Sequence, residues 1–216
     1  MTGEQPERVA GTAVVLRDGA AGVETLMLRR PARGSFAGAW VFPGGRVDPG
    51  DWDGAATQAQ AARAAAVRET REEAGIRIAD ATPLSRWTPP PEQPVRYVTW
   101  FFLARDVGDE VVPNPGEIEQ AEWMAPEQAL AEHVRGGMTL FPPTWVTLNG
   151  LLGCASADAA LAAAREPAFF RTRMGGGDDG GFVMWAGDEQ HPDEPGEPGR
   201  RHRLLMGEPP WTYLRD

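Results

Sequence analysis

A chain of 216 residues with 42% hydrophobic side chains and eight tryptophans has enough apolar material for one substantial core with an extension. Its net charge of -10 argues against a sequence-independent grip on nucleic acid, which works by neutralising phosphates with basic side chains. No run approaches the ~18 uninterrupted apolar residues of a membrane span, the N-terminus lacks the basic and apolar regions of a signal peptide, and Cys154 alone cannot form an intrachain disulfide, so a cytoplasmic protein away from the membrane is expected.

Residues 9–16 read as a strand, Arg17-Asp18-Gly19 as its turn and 24–30 as a second strand, together an opening hairpin. The stretch 31–39 has the proline, glycine and serine content of a loop, and the short apolar strand 40–42 is stopped by Pro43-Gly44-Gly45. Asp51 or Asp53 is placed to cap a long alanine-rich helix over 55–73 that stops at Gly75. Ala62, Ala66 and Thr70 form its buried stripe, and small residues there let the helix sit close to a sheet. Extended structure resumes over 76–78, Pro89-Pro90-Pro91 marks a rigid loop, and 95–104 is the most strand-like segment, with Tyr97, Trp100, Phe101 and Phe102. A strand over 119–124 and a short helix over 126–133, opened by a proline, complete an α/β sandwich over residues 1–136. Beyond it, 137–216 reads as an extension packed on the same domain: helices over 144–152 and 157–166, then glycine, proline and acid-rich stretches enclosing a hairpin of strands 181–185 and 202–206.

The densest chemistry lies in Arg68-Glu69-Thr70-Arg71-Glu72-Glu73-Ala74-Gly75-Ile76. On a helix Glu69 shares a face with Glu72 and Glu73, and acids crowded near a helix C-terminus repel one another and oppose the macrodipole. A hard divalent cation such as magnesium or manganese reverses the sign of that repulsion and bridges carboxylates to substrate phosphates. Arg68, four residues before Glu72, is within reach to orient a carboxylate. Gly44 and Gly45 have no Cβ and allow a backbone loop to approach metal and phosphates closely. The chain contains no lysine, so every fixed side-chain cation is a guanidinium, whose planar fork suits phosphate; Arg29, Arg30, Arg33 and Arg46 are the candidates.

With Phe42-Pro43-Gly44-Gly45 upstream, this segment resembles the Nudix box, whose pattern is Gly, five residues, Glu, seven residues, then Arg-Glu-apolar-any-Glu-Glu-any-Gly-apolar. Thr70 stands where an aliphatic is usual. Counting from Gly45, the first acidic position holds Asp51 rather than Glu, and sixteen residues separate it from Arg68, an insertion of nine, so whether Asp51 replaces the first box acid is open at this point. The resemblance implies a Nudix α/β/α sandwich with a mixed sheet, Mg2+ or Mn2+ as cofactor, and hydrolysis of a nucleoside diphosphate linked to another group. It places Glu69 and Glu73 as principal metal ligands, with Glu72 a further ligand or the group that handles the proton of water. Glu117, with Glu119 second, matches the additional glutamate that many Nudix proteins keep as ligand or general base.

Leu28-Arg29-Arg30, the interrupted box, Gly187-Asp188, His191-Pro192 and Arg201-His202-Arg203 resemble the peroxisomal-type coenzyme A diphosphatase branch and its bacterial relatives, although the chain ends Leu214-Arg215-Asp216 with no peroxisomal signal. That implies coenzyme A or an acyl-coenzyme A as substrate. The tail itself reads either as a helical cap with a loosely ordered hairpin or as a substrate-contacting lid bringing His191, Arg201, His202 or Arg203 to the site, and in the second reading the cations of His202 and Arg203 suit a phosphate remote from the reacting diphosphate. An ADP-ribose or nucleotide-sugar pyrophosphatase needs the same acids, and a non-catalytic Nudix-fold ligand sensor keeps the fold without turnover. The implied partner is a small nucleotide-containing substrate, with a homodimer as one assembly open to the chain.

Overall fold

The computed structural model describes residues 8–34, 36–176 and 181–216. The N-terminal seven residues read above for a signal peptide, Ser35 of the predicted loop and residues 177–180 of the acidic glycine-rich stretch lie outside them.

The expected hairpin forms, with longer strands. β1 (Arg8–Gly19) runs antiparallel to β2 (Gly22–Arg29) down to the pair Gly19↔Gly22. Residues 17–19, expected as the turn, therefore lie in β1, where Arg17 opposes Glu24 and donates to it at 2.7 Å, a cross-strand pair that extends the ladder. β3 (Trp40–Val41) pairs with β2, and β4 (Gly44–Arg46) pairs with β1. Gly44 and Gly45 are thus strand residues rather than a bare turn. At Gly44 a Cβ would sit 2.5 Å from the Gly11 carbonyl oxygen, so only glycine lets β4 approach β1 this closely.

A short 3-10 helix (Pro49–Trp52) precedes α1 (Gln58–Ala74). The cap of α1 is Thr57, whose hydroxyl accepts from the Gln60 amide while Gln60 bonds back to Thr57, a reciprocal capping box. Asp51 and Asp53, expected as caps, lie too early, because the 3-10 turn uses Asp48 and Asp51 as its own box. Ala62, Ala66 and Thr70 are fully buried as expected, and the Thr70 hydroxyl donates to the Ala66 carbonyl at 2.7 Å, which satisfies the polar atom standing at an aliphatic position. Gly75 ends the helix in the left-handed conformation at φ 74°.

β5 (Ile78–Thr88), β6 (Tyr97–Asp106) and β7 (Gln120–Met124) complete most of a mixed sheet. Its order is β3-β2-β1-β6-β5-β8, with β4 on β1 and β7 on β2; β1 and β6 are parallel, as are β5 and β8 (Ala168–Arg171). Side chains alternate across β1: Ala13 and Val15 join Ala62 and Ala66 of α1 in one buried cluster, whereas Val14 and Leu16 join a second on the other face. That second cluster takes in α2 (Pro126–Val134), α3 (Pro142–Gly150) and α4 (Ala157–Ala163), so the sheet lies between α1 and the other helices as the α/β/α reading requires.

The C-terminal region departs from a hairpin. β10 (Phe182–Met184) and β11 (His202–Leu205) pair as expected, but β9 (Arg173–Gly175) and β12 (Thr212–Arg215) flank them to give a four-stranded antiparallel sheet. The flanking strands are three and four residues long, too short for an alternating pattern to announce them. Val183, Trp185 and Leu204 bury this sheet in the same cluster as Trp87 and Phe170, whose rings stack at 3.8 Å.

Candidate active site

The acids sit where α1 ends beside β4 and the 110–118 loop. Glu73 is 1% exposed. Its two oxygens accept from the Arg30 guanidinium at 3.0 Å and the Gly44 amide at 2.9 Å. Burial pushes its carboxyl up to about 7, with Glu69 and Glu117 pushing the same way, against the Gly44 bond and Arg30. Glu69 is also raised, first by burial and then by Glu72 and Glu117, against Arg68. A Cβ on residue 45 would lie 2.4 Å from the Glu69 carboxyl carbon, so glycine there is what lets the carboxylate lie over the β4 backbone.

Arg68 organises this end of the helix. Its Nε and Nη2 donate to the two oxygens of Asp51 at 3.2 and 2.9 Å, and Nη2 also reaches the Arg46 carbonyl at 2.9 Å. Nη1 donates to Glu69 at 2.8 Å and Glu72 at 3.1 Å. Burial alone would raise the Asp51 carboxyl, but Arg68 and the Asp48 amide outweigh it and hold the carboxyl below its ordinary value. The insertion does not displace Asp51 from the arginine. The 3-10 turn folds Asp51 back, and the inserted residues become the first turns of α1, with Ala61 and Ala62 fully buried. The Asp48-x-x-Asp51 spacing, that of a capping box, was the available signal for this turn.

Glu117 comes to the site because its loop is stitched to the end of α1: the Val112 and Asn114 amides donate to the Ala74 and Glu73 carbonyls, each at 2.9 Å. Ile118 anchors the loop in the α1-side cluster. Glu117 itself is exposed, and its charge raises both Glu69 and Glu73. Glu119 lies by Arg29 at 3.8 Å, away from this group.

The predicted arginines separate. Arg30 follows Leu28 on the α1 side of β2 and reaches Glu73, whereas Arg29 follows Met27 on the opposite face and bonds Gln120 at 3.0 Å. Arg29 is therefore not part of the acidic group. Arg46 is largely exposed beside the cluster and pairs with Asp48 at 2.9 Å, and Arg33 is exposed in the preceding loop.

The structure does not bring the tail to these acids. Arg203 makes a two-pronged pair with fully buried Asp188, Nε at 2.7 Å and Nη2 on the other oxygen, and lies over the Phe182 ring. His202 lies between the Ala186 carbonyl at 2.8 Å and the Tyr213 hydroxyl at 2.9 Å, and burial pulls its pKa down. His191 is buried against the Arg171 carbonyl, and Arg201 pairs with Glu189. All belong to the C-terminal sheet and its connections, whose core packs on the sheet face opposite α1. His202 and Arg203 hold the extension together, and the structure does not bring them into the group formed by Glu69, Glu73 and Glu117.

Among the described residues no three His, Cys, Asp or Glu side chains are arranged to hold a metal ion, since Glu73 is turned to Arg30 and Gly44 while Glu69 and Glu72 are turned to Arg68. The donor chemistry nevertheless fits a hard divalent ion. Glu117 raises the proton affinity of Glu69 and Glu73, and Glu69 raises that of Glu73, a repulsion that a shared cation would remove.

The model of the NUDIX domain family matches residues 7–143. The fold is similar to the crystal structure of a NUDIX hydrolase from Alicyclobacillus acidocaldarius, with a TM-score of 0.66 and 26% identity over 74% of this chain and 97% of that one. A MutT NUDIX hydrolase from Burkholderia pseudomallei aligns with a TM-score of 0.52 and 27% identity over 68% of this chain and 98% of that one. The NUDIX domain of Shewanella oneidensis NrtR, solved with ADP ribose, shares the fold at a TM-score of 0.52 and 15% identity over 68% and 86% of the two chains. No curated protein matches the chain.

Proposed function

The chain belongs to the Nudix domain family, and from that premise we propose that it is a divalent-metal-dependent pyrophosphohydrolase of nucleoside diphosphates linked to another group. The observation that carries this is the buried, ionisable Glu73 set beside Glu69 and Glu117, three acids that the Arg30 and Arg68 guanidiniums offset only in part, since Glu69 and Glu73 keep raised proton affinities.

Glu69 and Glu73 would hold the ion, with Glu72 or Glu117 completing its shell. When bound, such an ion withdraws charge from phosphoryl oxygens and makes bound water a better nucleophile at neutral pH. Arg68, locked to Asp51 on one side, keeps Glu69 and Glu72 from swinging away. Gly45 lets the Glu69 carboxylate lie against the β4 backbone, where an ion it holds would meet the diphosphate, and exposed Arg46 turns from Asp48 to the diphosphate oxygens. Glu117, exposed and close enough to raise both Glu73 and Glu69, accepts the proton of the attacking water, with Glu72 the second candidate.

Within this class the sequence likeness to the coenzyme A diphosphatase branch favours coenzyme A or an acyl-coenzyme A, cut to phosphopantetheine and adenosine 3′,5′-bisphosphate. Arg203 is paired with Asp188 and His202 with the Tyr213 hydroxyl, which favours other residues for the 3′-phosphate. The test is turnover of coenzyme A, ADP-ribose, diadenosine polyphosphates and nucleotide sugars with magnesium and with manganese. Hydrolysis that a chelator stops and either ion restores is expected. No turnover of any of the four classes, or turnover indifferent to chelation, would overturn the reading.

A further inference from the structure

Arg30 stands in a peculiar relation to the acids. Its side chain is 30% exposed and bonds an oxygen of a carboxylate that is only 2% exposed, and among the described residues its guanidinium bonds Glu73 alone. Arg68, by contrast, spends all three of its nitrogens on Asp51, Glu69, Glu72 and the Arg46 carbonyl, and is built in. The Arg30 backbone is fixed, its amide donating to the Ala39 carbonyl at 2.9 Å, so only the side chain has freedom to leave. A cation approaching Glu73 meets that guanidinium 3.0 Å from the oxygen it needs, and two positive charges on one oxygen repel.

We propose that Arg30 is a resident counter-ion for Glu73 that a divalent cation must displace, and that the displaced guanidinium is then handed to the substrate's diphosphate. This rests on the pyrophosphohydrolase reading above. The physical logic is charge compensation. A buried carboxylate cannot stand alone without large cost, so the empty enzyme supplies a guanidinium from its own strand. The metal takes over as countercharge, and the released fork, anchored one residue beyond β2 and already beside the carboxylate that also accepts from the Gly44 amide, stays next to the bound ion, where the diphosphate would lie. Metal binding and anion binding become coupled through one side chain, with no moving loop required.

The test is manganese binding in the absence of nucleotide, read from the electron paramagnetic resonance signal of free Mn2+, for wild type, R30Q, E73Q and R30Q/E73Q. A competitor that leaves Glu73 free for only a tenth of the time weakens apparent affinity by that factor, so R30Q should bind Mn2+ about tenfold more tightly than wild type. In the E73Q background the same change should leave affinity unmoved. At saturating Mn2+, R30Q should bind ADP about tenfold more weakly, because the diphosphate loses its guanidinium. R30K, which keeps a charge without the planar fork, should fall between wild type and R30Q in Mn2+ affinity and serves if R30Q does not fold. Equal or weaker Mn2+ binding by R30Q overturns the proposal, as does a gain that persists in E73Q, which would reflect bulk charge. Unchanged ADP affinity overturns the hand-over. Absence of Mn2+ binding by wild type would instead sink the metal-dependent reading itself.

Discussion

Arg203→Ala decides between two roles for the tail. Asp188 is 0% exposed and Arg203 7%, and the Asp188 carboxylate accepts from both prongs of the guanidinium and from the Gln190 and His202 amides at 3.0 and 2.9 Å. Removing the arginine leaves a buried carboxylate with two amide donors and no countercharge, a lesion of about 3–5 kcal/mol. The Phe182 ring, with the guanidinium carbon 4.5 Å from its centroid, loses its cap as well. For a chain of this size that corresponds to a melting point lower by roughly 6–20 °C. Because this sheet packs on the face away from α1, kcat/KM of the folded fraction should fall equally, if at all, on coenzyme A and 3′-dephospho-coenzyme A. Calorimetric melts and steady-state kinetics on both substrates measure the two effects. An unchanged melting point together with a loss confined to coenzyme A would refute this account and return Arg203 to the substrate.

The same pair gives a pH dependence: burial raises the Asp188 carboxyl, Arg203 and the two amides outweigh it, and the folded-state pKa falls from 3.8 to about 2. A depressed carboxyl stabilises the fold above its unfolded value and loses that stability as pH drops through the folded value, so urea midpoints should decline between about pH 4 and 2, and less so in R203A, where the pair is already gone. Glu73→Gln should keep the fold and cost at least about a hundredfold in kcat, the lower range for losing one electrostatic stabiliser; more than half the wild-type rate would remove Glu73 from the reaction. Asp51→Ala frees Arg68 from its two-pronged anchor and should cost about 10- to 100-fold in kcat/KM or in metal affinity, whereas unaltered kinetics would show that the helix alone orients Glu69 and Glu72. Gly11→Ala would set a Cβ 1.8 Å from the Ala62 carbonyl oxygen, a backbone atom of α1, so the helix must shift. A loss of about 1–3 kcal/mol or more is expected by denaturant titration, and wild-type stability would show that α1 is not seated on β1 as described.

Local pattern alone determined the hairpin, α1 with its buried stripe of Ala62, Ala66 and Thr70, and the clustering of Glu69, Glu72 and Glu73, because helix periodicity and glycine stops act over a few residues and leave their mark in order along the chain. The same locality explains what could not be read. Arg29 and Arg30 are neighbours in sequence, yet strand alternation sends one to Gln120 and the other to Glu73, and which face meets α1 depends on how the sheet is covered. Asp51 reaches Arg68 across sixteen intervening residues only because a 3-10 turn and two extra helical turns fold the interval back on itself. Arg203 and His202 carry charge and polarity that suit a phosphate, but Asp188, fifteen residues before Arg203, claims its guanidinium in the core of a small sheet. Side-chain type limits the chemistry a residue can perform; the partner it is buried against, set by contacts distant in sequence, decides whether that chemistry is spent on substrate or on holding the fold.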